Sequence, residues 1–288
     1  MAIHRPNRIQ SERHAPGATI ILMPRIAIPL PHSSDREYAE RAIPQYERAV
    51  KQAGGEPVRI PLDEAPENVT KLIATCDAVL LPGSKADVDP AKFHAERSQQ
   101  TAAADVSRNT IDELLLEYAY RHRKPILGIC YGLQSLNVFR SGSLIQHIPD
   151  FLPEETRAKV NHEAGKKVAV AHTVEVETNS MLARIVAAEA RSPKSEVRGP
   201  LLLPVNSSHH QSAAAIGNDL RIVARCPADG IIEAVEGTAP DHFVLAVQWH
   251  PERSVDDDAP SRAIFKSLVE AARPRRQESR ILAENKKA

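Results

Sequence analysis

The chain has 288 residues, 42% of them hydrophobic, which is enough to bury a full core as one domain. Its 37 basic residues balance 37 acidic ones, so no net field draws it to phosphate backbones or anionic lipid, and nucleic-acid and membrane partners are not expected. The longest apolar runs, such as 78–82 and 243–247, fall far short of the roughly 20 residues that span a bilayer, and the basic N-terminus lacks the apolar core of a secretory signal, so a cytoplasmic protein is expected.

In chain order, residues 1–18 are polar and basic without apolar period and read as a flexible lead. Residues 19–272 read as one domain. It opens with a β-type run over 20–29, a helical pattern from Tyr38 that stops at Gly54 and Gly55, and a strand over 56–61. A buried strand over 76–84 ends in a glycine turn. The next helix places Ile111, Leu114, Leu115, Tyr118 and Ala119 on one face and ends in basic residues, which suit a helix C-terminus. Another strand follows over 124–129. Strands and helices alternating at this pace predict right-handed crossovers and a mainly parallel sheet with helices on both faces. The later runs, 166–178, 220–226, 231–237 and 243–249, have short connections and could include antiparallel pairs at one sheet edge. The predicted fold is therefore α/β, a three-layer sandwich with a mainly parallel, partly mixed central sheet. Residues 187–200 read as an exposed loop, and residues 273–288 as a charged tail in which Pro274 ends the preceding helix.

Three distant cysteines suit neither a disulfide framework nor a zinc site, and Cys76 and Cys226 read as buried small hydrophobes. Cys130 differs. It stands between the 124–129 strand and a helical pattern carrying Leu133, Leu136 and Phe139, with Gly128 and Gly132 on either side. This is the pattern of a nucleophile elbow, in which a tight turn lifts a side chain above the sheet. The glycines would permit unusual backbone angles and close approach of the helix, and the helix N-terminus would favour a thiolate. His250, Pro251 and Glu252 follow an apolar strand; in extended backbone His250 and Glu252 would project to the same side, so His250 could act as base with Glu252 orienting it.

Four segments carry a family likeness: LLPGSKADVDP at 80–90, GICYGLQSLNV at 128–138 with GSLIQHIPD at 142–150, VNSSHHQS at 205–212, and AVQWHPE at 246–252. In order and spacing they resemble the class I glutamine amidotransferase superfamily, and within it the γ-glutamyl hydrolases classed as C26 peptidases, which include γ-glutamyl-γ-aminobutyrate hydrolases. The resemblance implies a flavodoxin-like fold and a Cys130–His250–Glu252 triad. It implies backbone N–H groups at Gly83 and Tyr131 as oxyanion hole, and Gln134, Ser208, His209 and His210 as the pocket for a small γ-glutamyl substrate. No cofactor is implied, and a homodimer is plausible from the resemblance only. The adjacent His209 and His210 have no third ligand at close spacing, so no metal is expected. Asp87 and Asp89 read equally well as shaping the turn before Pro90, and His147 as structural. The chain departs from the family pattern at Tyr131, at Ser141–Ser143 and at Asn109. Two other readings remain open: a subunit delivering ammonia to a partner synthase, and a binding protein on the same fold.

Overall fold

In the computed structural model residues 23–190 and 200–285 are described, so the expected lead over 1–18 lies outside the described residues. The strands are β1 (Arg25–Pro29), β2 (Glu56–Ile60), β3 (Ala78–Leu81), β4 (Ile126–Ile129), β5 (Leu144–Ile145), β6 (His172–Val176), β7 (Leu201–Val205), β8 (Ser212–Ala213), β9 (Leu220–Arg225), β10 (Ile232–Gly237) and β11 (Val244–Val247). The helices are α1 (Arg36–Gln52), α2 (Pro66–Ala74), α3 (Val106–His122), α4 (Tyr131–Phe139), α5 (Ile148–Phe151), α6 (Glu154–Arg157), α7 (Met181–Ala190) and α8 (Ala259–Asn285).

Nine strands form one sheet in the order β2-β1-β3-β4-β11-β10-β9-β6-β7, and β5 pairs with β8 apart from it. From β2 to β11 every pairing is parallel; from β11 to β7 every pairing is antiparallel. The two-residue period of the central strands sorts their side chains. Ile26, Ile28, Leu80 and Leu127 face one side, where α1, α7 and α8 contribute Ile43, Leu182, Val186, Ile264, Phe265 and Leu268. Ala27, Val79, Leu81 and Ile126 face the other, against Val69, Ile73, Ile111, Leu115, Leu133 and Leu136 of α2, α3 and α4. The result is the expected three-layer α/β sandwich.

Local chemistry sets the helix limits. Asp35 accepts the Tyr38 N–H at 2.9 Å at the start of α1. At its end Gly54, with φ 84°, and Gly55 donate to the carbonyls of Lys51 and Val50, a pair of bonds that closes the last turn. Asp105 caps α3 through the Arg108 N–H and also accepts from the backbone and hydroxyl of Ser33, tying the β1–α1 connection to α3.

Two expectations are corrected. Ala187–Ala190 complete α7 instead of joining a loop, while 191–199 lie outside the described residues. Helix α8 runs through Pro274 to Asn285; a proline removes one backbone bond without necessarily ending a helix, as Pro44 inside α1 also illustrates. Among the described residues no helix is long and apolar enough to cross a membrane.

Candidate active site

Strand β4 lies between β3 and β11 and delivers Cys130 at its C-terminal end. The Cys130 N–H still belongs to the sheet, donating to the Val247 carbonyl at 2.8 Å, yet its φ of 53° and ψ of −105° turn the chain abruptly into α4. That conformation is costly for a residue with a Cβ and persists only where the surroundings impose it. The imposition comes from close packing. A Cβ at Gly132 would lie 2.2 Å from the Leu81 carbonyl oxygen, and one at Gly128 would lie 2.8 Å from that of Gly132. The flanking glycines thus allow strand and helix to touch, while the left-handed backbone falls on the cysteine itself.

The thiol is almost wholly buried, and burial pushes it up to about 12, with Glu252 and Glu233 adding to the rise. Arg253 and the backbone N–H of Tyr131 pull the other way and do not compensate. The expected resting thiolate is therefore corrected to a neutral thiol, because loss of water outweighs the helix terminus.

His250 caps a 3-10 turn over Pro251–Arg253, and it is this turn, not extended backbone, that brings Glu252 under the ring. His250 Nδ1 and Glu252 Oε1 are 2.7 Å apart. A carboxylate must accept, so Nδ1 carries the proton and Nε2 keeps its lone pair. Burial lowers the imidazole below its ordinary value despite the neighbouring carboxylate. Burial would raise Glu252, but the charge of His250 and its hydrogen bond hold the carboxyl below its usual value. Asn206 locks the base from the other side: its Oδ1 accepts the His250 N–H at 3.0 Å and its Nδ2 donates to the His250 carbonyl at 2.9 Å. Sequence reading missed Asn206, although it lies inside the quoted VNSSHHQS segment.

Gly83 sits where Cys130 and His250 meet. A Cβ there would fall 2.9 Å from His250 Cε1, 3.1 Å from the Tyr46 hydroxyl oxygen and 3.6 Å from Cys130 Cβ. Its N–H donates to the Tyr46 hydroxyl at 3.0 Å, so this donor is already engaged. The Tyr131 N–H points at the Cys130 sulfur, which places one backbone donor of the expected pair beside the nucleophile.

The two departures at Asn109 and Tyr131 belong together. The Tyr131 hydroxyl donates to Asn109 Oδ1, and the Arg108 guanidinium lies over the Tyr131 ring at 4.8 Å. Arg108 is fully buried, bonded to Asp112 at 2.7 Å and to the Pro82 carbonyl at 2.7 Å. A single helix face of α3 therefore braces both the residue after the nucleophile and the residue before Gly83. Apolar periodicity does not mark an arginine at a buried helical position.

A cavity of 240 Å³ opens over Cys130 and His250 and is lined by Tyr131, Gln134, Ser208, His209 and His210. Gln134 donates to the Gln211 carbonyl at 3.2 Å, Ser208 is held by Arg253 at 2.7 Å, and His210 pairs with Asp87 at 3.1 Å. His209 turns its ring away, donating Nδ1–H to the Gln211 carbonyl at 3.0 Å. Asp87 also accepts the Ala102 N–H at 2.7 Å, whereas Asp89 only caps the turn, accepting from Ala91. His147 approaches His210 at 3.4 Å. Arg41, Lys85, Lys166 and Arg253 add positive charge to the wall, against Asp87 alone as an acid. A larger cavity of 310 Å³ lies beside Trp249 and Asp257 and touches no member of the candidate triad.

The peptidase C26 family model matches residues 25–252. The γ-glutamyl-γ-aminobutyrate hydrolase of Escherichia coli K12 is 33% identical over 238 residues, covering 79% of this chain and 84% of that protein. A protein of Rickettsia prowazekii named as glutamine amidotransferase-like is 30% identical over 262 residues, covering 79% and 88%. Among solved structures, the glutaminase domain of Trypanosoma brucei CTPS matches with a TM-score of 0.52 at 19% identity, over 86% of this chain and 93% of that one. PurLQS of Thermotoga maritima matches with a TM-score of 0.52 at 18% identity, over 86% and 99%. The last two bear on the fold, which is that of glutamine amidotransferases, and with the family match they lead to one statement: the chain belongs to the peptidase C26 family and is a glutamine amidotransferase-like hydrolase.

Proposed function

We propose that this chain hydrolyses γ-glutamyl amide bonds through Cys130, His250 and Glu252. The observation that carries the proposal is the meeting at Gly83 of a strained, cavity-facing cysteine and an imidazole whose far nitrogen is fixed by a carboxylate.

Because Cys130 rests as a thiol, attack and proton transfer go together. The sulfur forms a bond to the side-chain carbonyl carbon of the γ-glutamyl group while its proton passes to His250 Nε2, and Glu252 stabilises the imidazolium that results. The carbonyl oxygen gains negative charge and takes the Tyr131 N–H. On collapse the carbon–nitrogen bond breaks and the Nε2 proton goes to the departing amine, leaving a thioester on Cys130. Water then gives a proton to His250 and its oxygen to the acyl carbon; the sulfur leaves, recovers the proton, and glutamate is released.

The basic wall of Arg41, Lys85, Lys166 and Arg253 favours substrates with carboxylates. A glutamyl head group supplies one. A leaving amine that itself bears a carboxylate, such as γ-aminobutyrate or an amino acid, suits this wall better than a polyamine. Three free cysteines suit a cytoplasmic setting.

The test is turnover of γ-glutamyl-γ-aminobutyrate, a γ-glutamyl dipeptide, γ-glutamyl putrescine and glutamine. Cleavage that favours the two carboxylate-bearing leaving groups supports the reading. Release of ammonia from glutamine only in the presence of a synthase would replace it.

A further inference from the structure

Behind the catalytic cavity, where β6 and β10 enter the antiparallel half of the sheet, three imidazoles converge on one carboxylate. Glu233 Oε1 lies 3.3 Å from His162 Nδ1, 2.9 Å from His172 Nε2 and 3.5 Å from His209 Nε2. All four side chains are more than nine-tenths buried, and one ligand atom each from His162, His172 and Glu233 fall within 4.8 Å of one another.

One hydrogen bond, His172 Nε2 to Glu233 Oε1 at 2.9 Å, accounts for one ring and leaves the other two unexplained. The outer nitrogens fix the tautomers: His162 Nε2 lies 2.8 Å from Asp229 Oδ2, and His209 Nδ1 lies 3.0 Å from the Gln211 carbonyl. Carboxylate and carbonyl oxygens accept, so those nitrogens carry the protons. In their neutral forms those two rings aim lone pairs, from His162 Nδ1 and His209 Nε2, at a carboxylate oxygen. Neither nitrogen makes a hydrogen bond, and Glu233 Oε2 makes none either. The His162 and His209 lone pairs and the carboxylate oxygens are left facing one another in a buried cluster, which calls for a cation, a proton or a metal ion, between them.

We propose that His162, His172 and Glu233 form a zinc site, with His209 standing at its edge. Zinc bonds of roughly 2.0–2.2 Å to nitrogen and oxygen put tetrahedral ligand atoms about 3.3 Å apart, close to the 3.3 and 2.9 Å that separate Glu233 Oε1 from His162 and His172. Histidine and carboxylate ligands without thiolate suit zinc. Asp229 behind His162 is the outer partner that orients a metal-bound imidazole. His162 and His209 also line a 150 Å³ cavity beside Ile148 and Val160, which gives an ion a way in. Three protein ligands leave the fourth tetrahedral position to a water reached from that cavity. The site's effect on the catalytic cavity passes through His209, which anchors the segment carrying Ser208 and Gln211. The sequence expectation of no metal considered only His209 and His210; His162 and His172 lie 37 to 47 residues upstream of His209, and Glu233 lies on β10, two strands from β6 in the sheet.

Protons are the competing cation: His162 protonated on both nitrogens could bridge Asp229 and Glu233. Metal content separates the two and is read without turnover, so it stands or falls independently of the hydrolase reading. The full chain is purified from zinc-supplemented culture, desalted and analysed for metals, then stripped with a chelator and titrated with zinc and cobalt(II). The expected result is about one zinc per chain, a melting temperature that falls by roughly 5 °C or more on stripping, and a cobalt spectrum of tetrahedral d–d bands without thiolate charge transfer. His172→Ala and Glu233→Gln should each cut bound zinc at least about tenfold, and Asp229→Asn should weaken binding by roughly 10- to 100-fold. Stripped wild type that neither takes up zinc nor gains stability from it would overturn the proposal, and this needs no variant to fold. A thiolate band would equally overturn it, moving the ion to His162, Cys226 and Asp229, which share the other His162 nitrogen.

Discussion

Two buried histidine clusters lie within one side chain of each other and are built to opposite ends. At His250 a single carboxylate takes one nitrogen and the other faces a cavity shared with Cys130. Around Glu233 three imidazoles turn inward on one oxygen, and their outer nitrogens, those of His162 and His209, are spent on fixed partners. Access decides the use. An imidazole with a lone pair open to substrate can move protons, whereas imidazoles closed around a point can only hold something there. His209 joins the two, since it borders the catalytic cavity and belongs to the closed cluster.

The contrast can be broken most sharply at the open site. Cys130→Ala should abolish cleavage of γ-glutamyl substrates, by about 10⁴-fold or more, while thermal unfolding stays close to wild type. Glu252→Gln should cost roughly 10³-fold in kcat, because an amide no longer fixes the Nδ1 proton or stabilises the imidazolium. At the closed site, Glu233→Gln should instead be read as stability, a loss of about 3–5 kcal/mol by denaturant unfolding, since it removes the one charge shared by three buried rings. A Tyr131→Phe change tests the brace between the sites and α3. It deletes the bond to Asn109 and should cost about 1 kcal/mol, with a small effect on kcat/KM.

The pH profile sharpens the comparison further. Burial lowers His250 from its ordinary value of 6.5, so the neutral base persists into mild acid and the acid limb of kcat/KM should lie below pH 6.5. Cys130, pushed up to about 12, loses its proton only in strong base. Its alkylation by iodoacetamide should therefore climb about tenfold per pH unit above neutrality, whereas a preformed thiolate would give a flat profile.

How much of this was legible in the sequence follows the same division. The elbow, the β–α alternation and the His-x-Glu pair are local signals, written within a few residues, and the apolar periods of the central strands sort as read. The geometry that makes Glu252 reach His250 differs from the extended backbone the spacing suggests, because Pro251 favours a 3-10 turn as readily as a strand. The resting state of Cys130 is not legible locally, because burial is a property of the whole fold. Arg108, Asn206 and the Glu233 cluster were invisible for one reason: each depends on contacts between residues far apart in the chain, such as Asn206 with His250 and His162 with Glu233, which no window of sequence contains.

The proposed chemistry runs through the sulfur of Cys130. Acid quench of the full chain during turnover of γ-glutamyl-γ-aminobutyrate, followed by peptide mass spectrometry, should reveal a γ-glutamyl group on the peptide bearing Cys130 that disappears, together with turnover, in Cys130→Ala. Turnover that persists in Cys130→Ala, or an acyl group carried on any other residue, would contradict the account.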